Sequence, residues 1–188
     1  MFKRIAQVFI LLLASVMASF SFAAASNADC QETLKQFHGL GDTDKFIDEA
    51  YGYAVFPTIG KGGIGIGGAF GEGCVYRGGV HVGSVDMGQV SIGLQLGGQA
   101  FSQLVLMRDK ETFDVFTSGS FAFGADASAV ALTYGANAGA GTSGASASAG
   151  EQKGVARWFN GMAVFTLAKG GLMYEAAIGG QKFKYTPN

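Results

Sequence analysis

The chain of 188 residues is poor in charge, proline and cysteine. Charged residues make up 14 % of it, whereas an average soluble protein has about 25 %. Intrinsic disorder requires low hydrophobicity and high net charge, and 48 % of the residues are hydrophobic at a formal net charge of −1, so a disordered chain is excluded. The 2 prolines exclude a collagen-like repeat, and the missing Ala/Glu/Lys/Leu heptads exclude a coiled coil.

The motifs of common catalytic and metal sites are also missing. Gly63–Gly68 matches G-x-G-x-x-G, but the glycine-rich Ala69–Gly73 that follows cannot open the helix that would hold a pyrophosphate. Gly141–Ala145 ends in alanine and so fails as a G-x-S-x-G nucleophile turn. His38 and His81 stand alone, without a C-x-x-C or H-x-x-x-H pair. We therefore predict no enzymatic activity, no cofactor and no metal.

The N-terminus predicts a secretory signal peptide over residues 1–25. Lys3 and Arg4 precede the apolar Ile5–Ala14, and the small-residue stretch Ala18–Ala25 ends in an A-x-A cleavage site. Cleavage after Ala28 is the second choice, and a retained membrane anchor is the alternative. Because the leader holds two basic residues, its removal from a chain of 188 residues and net charge −1 leaves 163 residues and net charge −3. One domain accounts for that length.

The two cysteines, Cys30 and Cys74, follow this leader. Export to an oxidising compartment permits a single disulfide between them. Sequence says nothing of the distance between the two residues, so paired and free cysteines both stay open.

What the chain has in abundance is glycine, with 31 residues, of which Gly60–Gly98 holds 15. A helix would lose about 1 kcal/mol per glycine relative to alanine. Glycine at this density therefore indicates a β scaffold, in which it marks turns and places where a sheet bends or another group approaches closely.

The periodicity divides the chain into an N-terminal helical segment, 29–50, and a β domain, 51–188. Apolar residues in the first segment have helical spacing, with a break at Gly39–Gly41. After Tyr51 the period becomes two, and the first strand, Tyr53–Phe56, is predicted to end at Pro57. We predict a mainly β (α+β) fold, a curved antiparallel sheet or barrel-like domain with one or two short N-terminal helices and a short helix near 110–117.

Several spaced glycine-aromatic blocks closely resemble the signature of the SYLF lipid-binding domain family. The blocks are Tyr53–Gly63, Gly67–Gly73, Gly97–Ser102, Gly124–Ser128, Lys169–Leu172 and Gly179–Phe183. Together they span about Tyr51 to Tyr185. The resemblance implies a compact β-rich domain that binds phospholipid head groups and has no enzymatic activity. In eukaryotic relatives basic side chains contribute to phosphoinositide binding, and yeast relatives bind actin.

Four lysines are the candidate lipid-binding residues. Lys61, Lys169 and Lys182 fall inside the resembling blocks, and Lys184 shares a strand face with Lys182 because side chains alternate along a strand. Lys61 is the leading candidate, since its glycine neighbours leave backbone N–H groups free to meet a phosphate. Ordinary solvated strand faces are the alternative for all four.

These observations predict a protein of the bacterial cell envelope, periplasmic or on the periplasmic face of a membrane, that binds anionic phospholipids through local basic residues. Neither phosphoinositides nor actin suits an exported protein, and no nucleic acid partner is expected. An integral outer-membrane β-barrel is one alternative, because 163 residues of low charge suit eight strands. A protein-interaction or structural module is the other.

Overall fold

A computed structural model describes residues 25–64, 66–92, 97–123, 131–134, 156–169 and 180–188. Residues 1–24 of the predicted leader lie outside the described residues. The helices are α1 (Asn27–Phe37), α2 (Thr43–Glu49) and α3 (Lys110–Phe116). The strands are β1 (Gly52–Ile64), β2 (Ile66–Arg77), β3 (Val80–Ile92), β4 (Gly97–Met107), β5 (Ser120–Ala122), β6 (Ala131–Tyr134), β7 (Met162–Ala168) and β8 (Lys182–Pro187).

All eight of these strands form one sheet in the order β5-β8-β3-β2-β1-β4-β7-β6. Neighbouring strands are antiparallel except β6 and β7, which are parallel. In the described ranges, two short helices precede the sheet and a third follows β4. The prediction of a mainly β fold with N-terminal helices and a helix near 110–117 is confirmed.

The sheet is strongly curled into a half-barrel. Two strands lie between β1 and β8, so the backbones of these strands would be about 14 Å apart in a flat sheet. The ring centroids of Phe56 on β1 and Phe183 on β8 are nevertheless 5.7 Å apart. Curling gives the sheet an inner, concave face and an outer, convex face.

Each face carries its own hydrophobic cluster. The inner face holds Phe56, Ile59, Met87, Val105 and Phe183, among others. The outer face holds the residues that alternate with these along each strand, including Val55, Cys74, Tyr76, Leu104 and Phe165. Central strands are therefore buried on both sides, which explains why every residue of β7 is buried.

The helices cover these faces separately. α1 begins at a capping box, in which the Ser26 and Asp29 side chains each bond the other's backbone N–H. Its buried residues Cys30, Leu34 and Phe37 pack on the outer face, while α3 packs Phe113 and Phe116 against the inner face. Within the described ranges, no helix combines the length and the apolar character needed to cross a membrane.

A disulfide joins α1 to the sheet. Cys30 on α1 and Cys74 on β2 are bonded, with their Cα atoms 6.2 Å apart, a usual separation for such a bond. The structure thus pairs the two cysteines, which the sequence left open. The bond fastens the helix over the middle of the outer face.

Pro57 does not end the first strand, contrary to the sequence prediction. β1 continues to Ile64 through a β-bulge, at which the pairing with β2 shifts between Val55 and Thr58. A bulge leaves a residue out of the ladder, so proline is tolerated there even in a central strand. The Ser102 hydroxyl donates to the Pro57 carbonyl over 2.8 Å and so satisfies a group that the ladder leaves out.

A buried pair of amides crosses the interior. Gln103 on β4 and Gln181, next to β8, are both fully buried. Each side-chain amide donates to the other's carbonyl, over 2.9 and 3.1 Å. Since β4 and β8 are four places apart in the sheet order, this reciprocal pair holds the curled sheet together from inside.

The disulfide should contribute substantially to stability. It closes a loop with a sequence separation of 44, and loops of this kind typically give about 2–4 kcal/mol. The Cys30→Ser/Cys74→Ser variant should lose that amount in urea unfolding. Reductant should destabilise the wild type similarly and leave the double variant unchanged; equal sensitivity of both proteins would contradict the bond.

The bulge should make Gly73 intolerant of a side chain. A Cβ atom there would lie 2.5 Å from the Val55 carbonyl oxygen and 2.8 Å from the Phe56 ring. Gly73→Ala should therefore reduce the free energy of unfolding by about 1–3 kcal/mol, as overpacking does. Gly88 on β3 is the matched control, because a Cβ there meets nothing within 4 Å. Equal stability of the two variants would argue against this packing.

Candidate functional site

The outer face carries an exposed apolar and basic surface on β2, β3 and β8. Phe70 and Val90 are 40 % and 77 % exposed, and Lys182 and Lys184 are exposed beside them. We call these four residues the outer patch. They line one shallow groove, together with Gly88 and Asp86.

Glycines account for the prominence of the two apolar side chains. Phe70 pairs with Gly60 on one side and Gly88 on the other, and Val90 pairs with Gly68. Side-chain neighbours on adjacent strands normally cover one another. Here the paired positions have no side chain, so the ring and the isopropyl group stand above the surrounding sheet.

Alternation along β8 sets the direction of the two lysines, as the sequence predicts. Phe183 is buried between them, while Lys182 and Lys184 are exposed. Lys182 pairs with Gly88 and Lys184 with Asp86. The patch therefore has two ammonium groups and one adjacent carboxylate, which leaves it locally positive.

Lys61 lies on the opposite face of the sheet. It pairs with Ala69 of the inner cluster and with Gln99 on β4, and paired residues point to the same side. Lys61 is half-buried at this position. The structure therefore does not bring the leading sequence candidate together with Lys182 and Lys184.

Lys169 lies on the outer face, but in a cleft between α1 and the sheet. The cleft has a volume of about 280 Å³. The Nζ atom of Lys169 donates to the Thr58 hydroxyl over 3.1 Å. We call this the α1 cleft; its lining residues are Ala25, Asp29, Glu32, Thr33, Gln36, Pro57, Thr58, Glu72 and Lys169.

Loss of hydration and the charges in the cleft act on the pKa of Lys169 in opposite directions. Removal of part of the side chain from water lowers the pKa of its ammonium group, and Glu32 and Asp29 act to raise it. The loss of hydration has the larger effect, so the pKa lies below its ordinary value. Unlike the outer patch, the cleft has more carboxylates than ammonium groups.

Sequence reasoning missed both apolar residues of the outer patch and the acidic residues of the cleft. The period-two pattern does place Phe70 on the face of Glu72, a sign of exposure. The cleft gives no comparable sequence signal, because it exists only where α1 packs over the bulge of β1 and the end of β7.

A family model described as "Ysc84: Las17-binding protein actin regulator" matches residues 88–185, just over half of the chain. The chain belongs to this family. The Ysc84 family is the SYLF family, so the assignment made from the glycine-aromatic blocks is confirmed, and it is a family of binding domains. A search of the curated proteins found no match.

The segment matched by the Ysc84 model includes most of the outer patch but little of the α1 cleft. Val90, Lys182 and Lys184 of the outer patch lie inside the matched segment, as does Lys169. Phe70 and the acidic residues of the α1 cleft precede it. Among the described residues that line the cleft, Lys169 is thus the one charged residue inside the matched segment.

The pKa of Lys169 gives a direct test of its surroundings. Lys110 is a useful reference because its bond to Asp114 raises the pKa of its ammonium group. A lysine reacts with acetic anhydride only when deprotonated, so labelling of Lys169 should reach half its maximal rate at a lower pH than labelling of Lys110. Peptide mass spectrometry measures both rates.

Glu32→Gln should shift the Lys169 labelling profile to still lower pH, because Glu32 raises that pKa. Glu111→Gln, on α3, is the control and should leave the profile unchanged. Identical profiles for Lys169 and Lys110 would contradict the environment described for the cleft.

Proposed function

We propose that the protein is exported and binds phospholipid membranes through the outer patch, without catalysing a reaction. The proposal rests on one observation: two exposed apolar side chains and two exposed lysines stand together on one face of the sheet. The predicted leader supports export to the bacterial cell envelope, with the protein in the periplasm or on the periplasmic face of a membrane.

The composition of the patch suits an anionic membrane surface. Each lysine near such a surface contributes about 1 kcal/mol, and this attraction is screened beyond roughly 10 Å. Phe70 and Val90 add burial of apolar area, worth about 25 cal/mol per Å² removed from water. Because the chain after the leader is net negative, the attraction must be local, and the outer patch is a locally positive surface.

Membership of the Ysc84 family supports a binding role but also favours a second candidate. The description of the family names Las17 binding and actin regulation. By that analogy the outer patch would dock another protein rather than a membrane. Exposed apolar residues beside lysines suit both kinds of partner, and vesicle binding distinguishes them.

Vesicle flotation tests the membrane proposal. The purified protein should float with vesicles that contain phosphatidylglycerol and less with pure phosphatidylcholine, and high salt should weaken the difference. Lys182→Gln/Lys184→Gln should reduce affinity for the anionic vesicles about thirtyfold at low salt, which corresponds to about 1 kcal/mol for each lysine. Phe70→Ser/Val90→Ser should weaken binding to both kinds of vesicle.

Lys61→Gln/Lys110→Gln is the matched control. It removes the same charge, but Lys61 lies on the inner face and Lys110 on the helix that covers that face. The control variant should bind like the wild type. Absence of binding to any vesicle would refute the membrane proposal and leave protein docking as the candidate function.

A further inference from the structure

The α1 cleft has two walls of opposite character. Asp29, Glu32 and Gln36 extend along the helix wall, while the sheet wall holds the ammonium group of Lys169 beside Thr58. Glu72 lies on the sheet wall as well. The cavity between these walls therefore presents carboxylates and an ammonium group to the same space.

These charges do not neutralise one another by direct contact. Among the described residues, no carboxylate comes within the 4.0 Å of the Lys169 ammonium that defines an ion pair. Neither Glu32 nor Glu72 has a hydrogen-bond partner in the described part of the chain. Opposite charges that are held apart across a cavity leave room for a ligand that satisfies both.

A hydroxyl on the helix wall is available to the same ligand. Thr33 is 3 % exposed and lines the cleft, yet no hydrogen bond to its hydroxyl group is present in the described ranges. In the described ranges, the buried side-chain polar atom without a partner is His81 Nε2, not the Thr33 hydroxyl. The Thr33 oxygen is therefore open to the cleft that the residue lines, where a ligand can accept its hydrogen bond.

The walls are held in place without a ligand. Asp29 is already fixed by its capping-box bonds to Ser26, and the Cys30–Cys74 disulfide, one residue further along α1, ties the helix to β2. Thr58 belongs to the bulge of β1. A preformed site of this kind loses less conformational entropy on binding than a flexible one.

We propose that the α1 cleft binds a phosphoethanolamine group, the zwitterionic head group of an ethanolamine phospholipid. Its phosphate lies against the Lys169 ammonium and the hydroxyl groups of Thr58 and Thr33, which form charge-assisted hydrogen bonds. Its ammonium, with three donors, lies between the carboxylates of Glu32 and Glu72. This inference deepens the proposed membrane function and rests on it for the source of the ligand.

The cleft is placed to receive a head group from a membrane at the outer patch. Glu72 lies two residues from Phe70 on the same face of β2, and Glu72 pairs with Thr58 on one side and Asp86 on the other. Asp86 in turn pairs with Lys184 of the patch. One row of side chains thus connects the two surfaces across the outer face.

Isothermal titration calorimetry with soluble phosphoethanolamine tests the site alone. The wild type should bind, and Glu32→Gln/Glu72→Gln and Lys169→Met should each weaken binding about tenfold or more, since charge-assisted hydrogen bonds are lost. Glu111→Gln/Asp114→Asn on α3 is the matched control for the carboxylates and should bind normally. Equal binding by all variants, or no binding by the wild type, would overturn the proposal.

A second measurement needs no variant. Phosphoethanolamine should slow acetylation of Lys169 severalfold and leave Lys110 unaffected, whereas inorganic phosphate at the same concentration should protect less because it lacks the ammonium. Equal protection by the two ligands would reduce the site to a simple phosphate site and overturn the proposal.

Vesicles distinguish failure of this inference from failure of the membrane function. Phosphatidylethanolamine added to phosphatidylcholine vesicles should raise binding of the wild type and not of Glu32→Gln/Glu72→Gln. If phosphatidylglycerol alone supports flotation and the cleft variants behave like the wild type, the membrane function stands and the cleft proposal is wrong. If soluble phosphoethanolamine binds but no vesicle does, the head-group site stands and the membrane function is wrong.

Discussion

The bulge at Pro57 and Thr58 in the central strand is the local constraint on which the arrangement of both faces depends. Before it, Tyr53 and Val55 point to the outer face; after it, Ile59 and Lys61 point to the inner face. One extra residue exchanges the faces of all residues that follow. Because of the bulge, Ile59 packs in the inner cluster and Lys61 faces the inner side rather than the outer surface. Thr58 faces the outer side and lines the α1 cleft.

The two faces differ in what covers them. The inner face closes on itself, with aromatic rings from β1, β8 and the segment around β5 in mutual contact and α3 at its side. α1 covers only the part of the outer face that lies over the hydrophobic cluster. The rest of that face holds the paired glycines, with Phe70 and Val90 raised above them. Both surfaces to which we assign a binding role therefore lie on the convex side.

Much of the architecture follows from local patterns in the sequence. The helical spacing before Tyr51, the glycine density and the period of two suffice for a mainly β fold, and alternation alone directs Lys182 and Lys184 to one face. The strand end predicted at Pro57 was wrong because proline usually ends a central strand. A bulge is distinguished from a strand end only when the neighbouring strands on both sides are known. The same bulge explains why the face of Lys61 was unpredictable.

The candidate sites were less predictable than the fold, since they depend on contacts between distant segments. Glu32 and Glu72 are separated by 40 positions and Lys169 by nearly a hundred more. Only the packing of α1 over β1 and β2 brings them to one cavity. The resemblance to the SYLF family indicated lysines within its blocks as binding residues. The acidic residues of the cleft lie outside the segment that the Ysc84 model matches.

The buried amide pair of Gln103 and Gln181 has a consequence for the convex surface. Gln181 directly precedes β8, and its side chain must point inward to meet Gln103. A shift of β8 by one residue would leave both amides without hydrogen-bond partners in an apolar interior, at a cost of about 1–3 kcal/mol for each unsatisfied group. With Gln181 fixed inward, Lys182 turns outward, Phe183 inward and Lys184 outward. The uncharged hydrogen bonds between Gln103 and Gln181 in the interior thus fix the register of β8, and this register directs the two lysines of the outer patch to the convex surface.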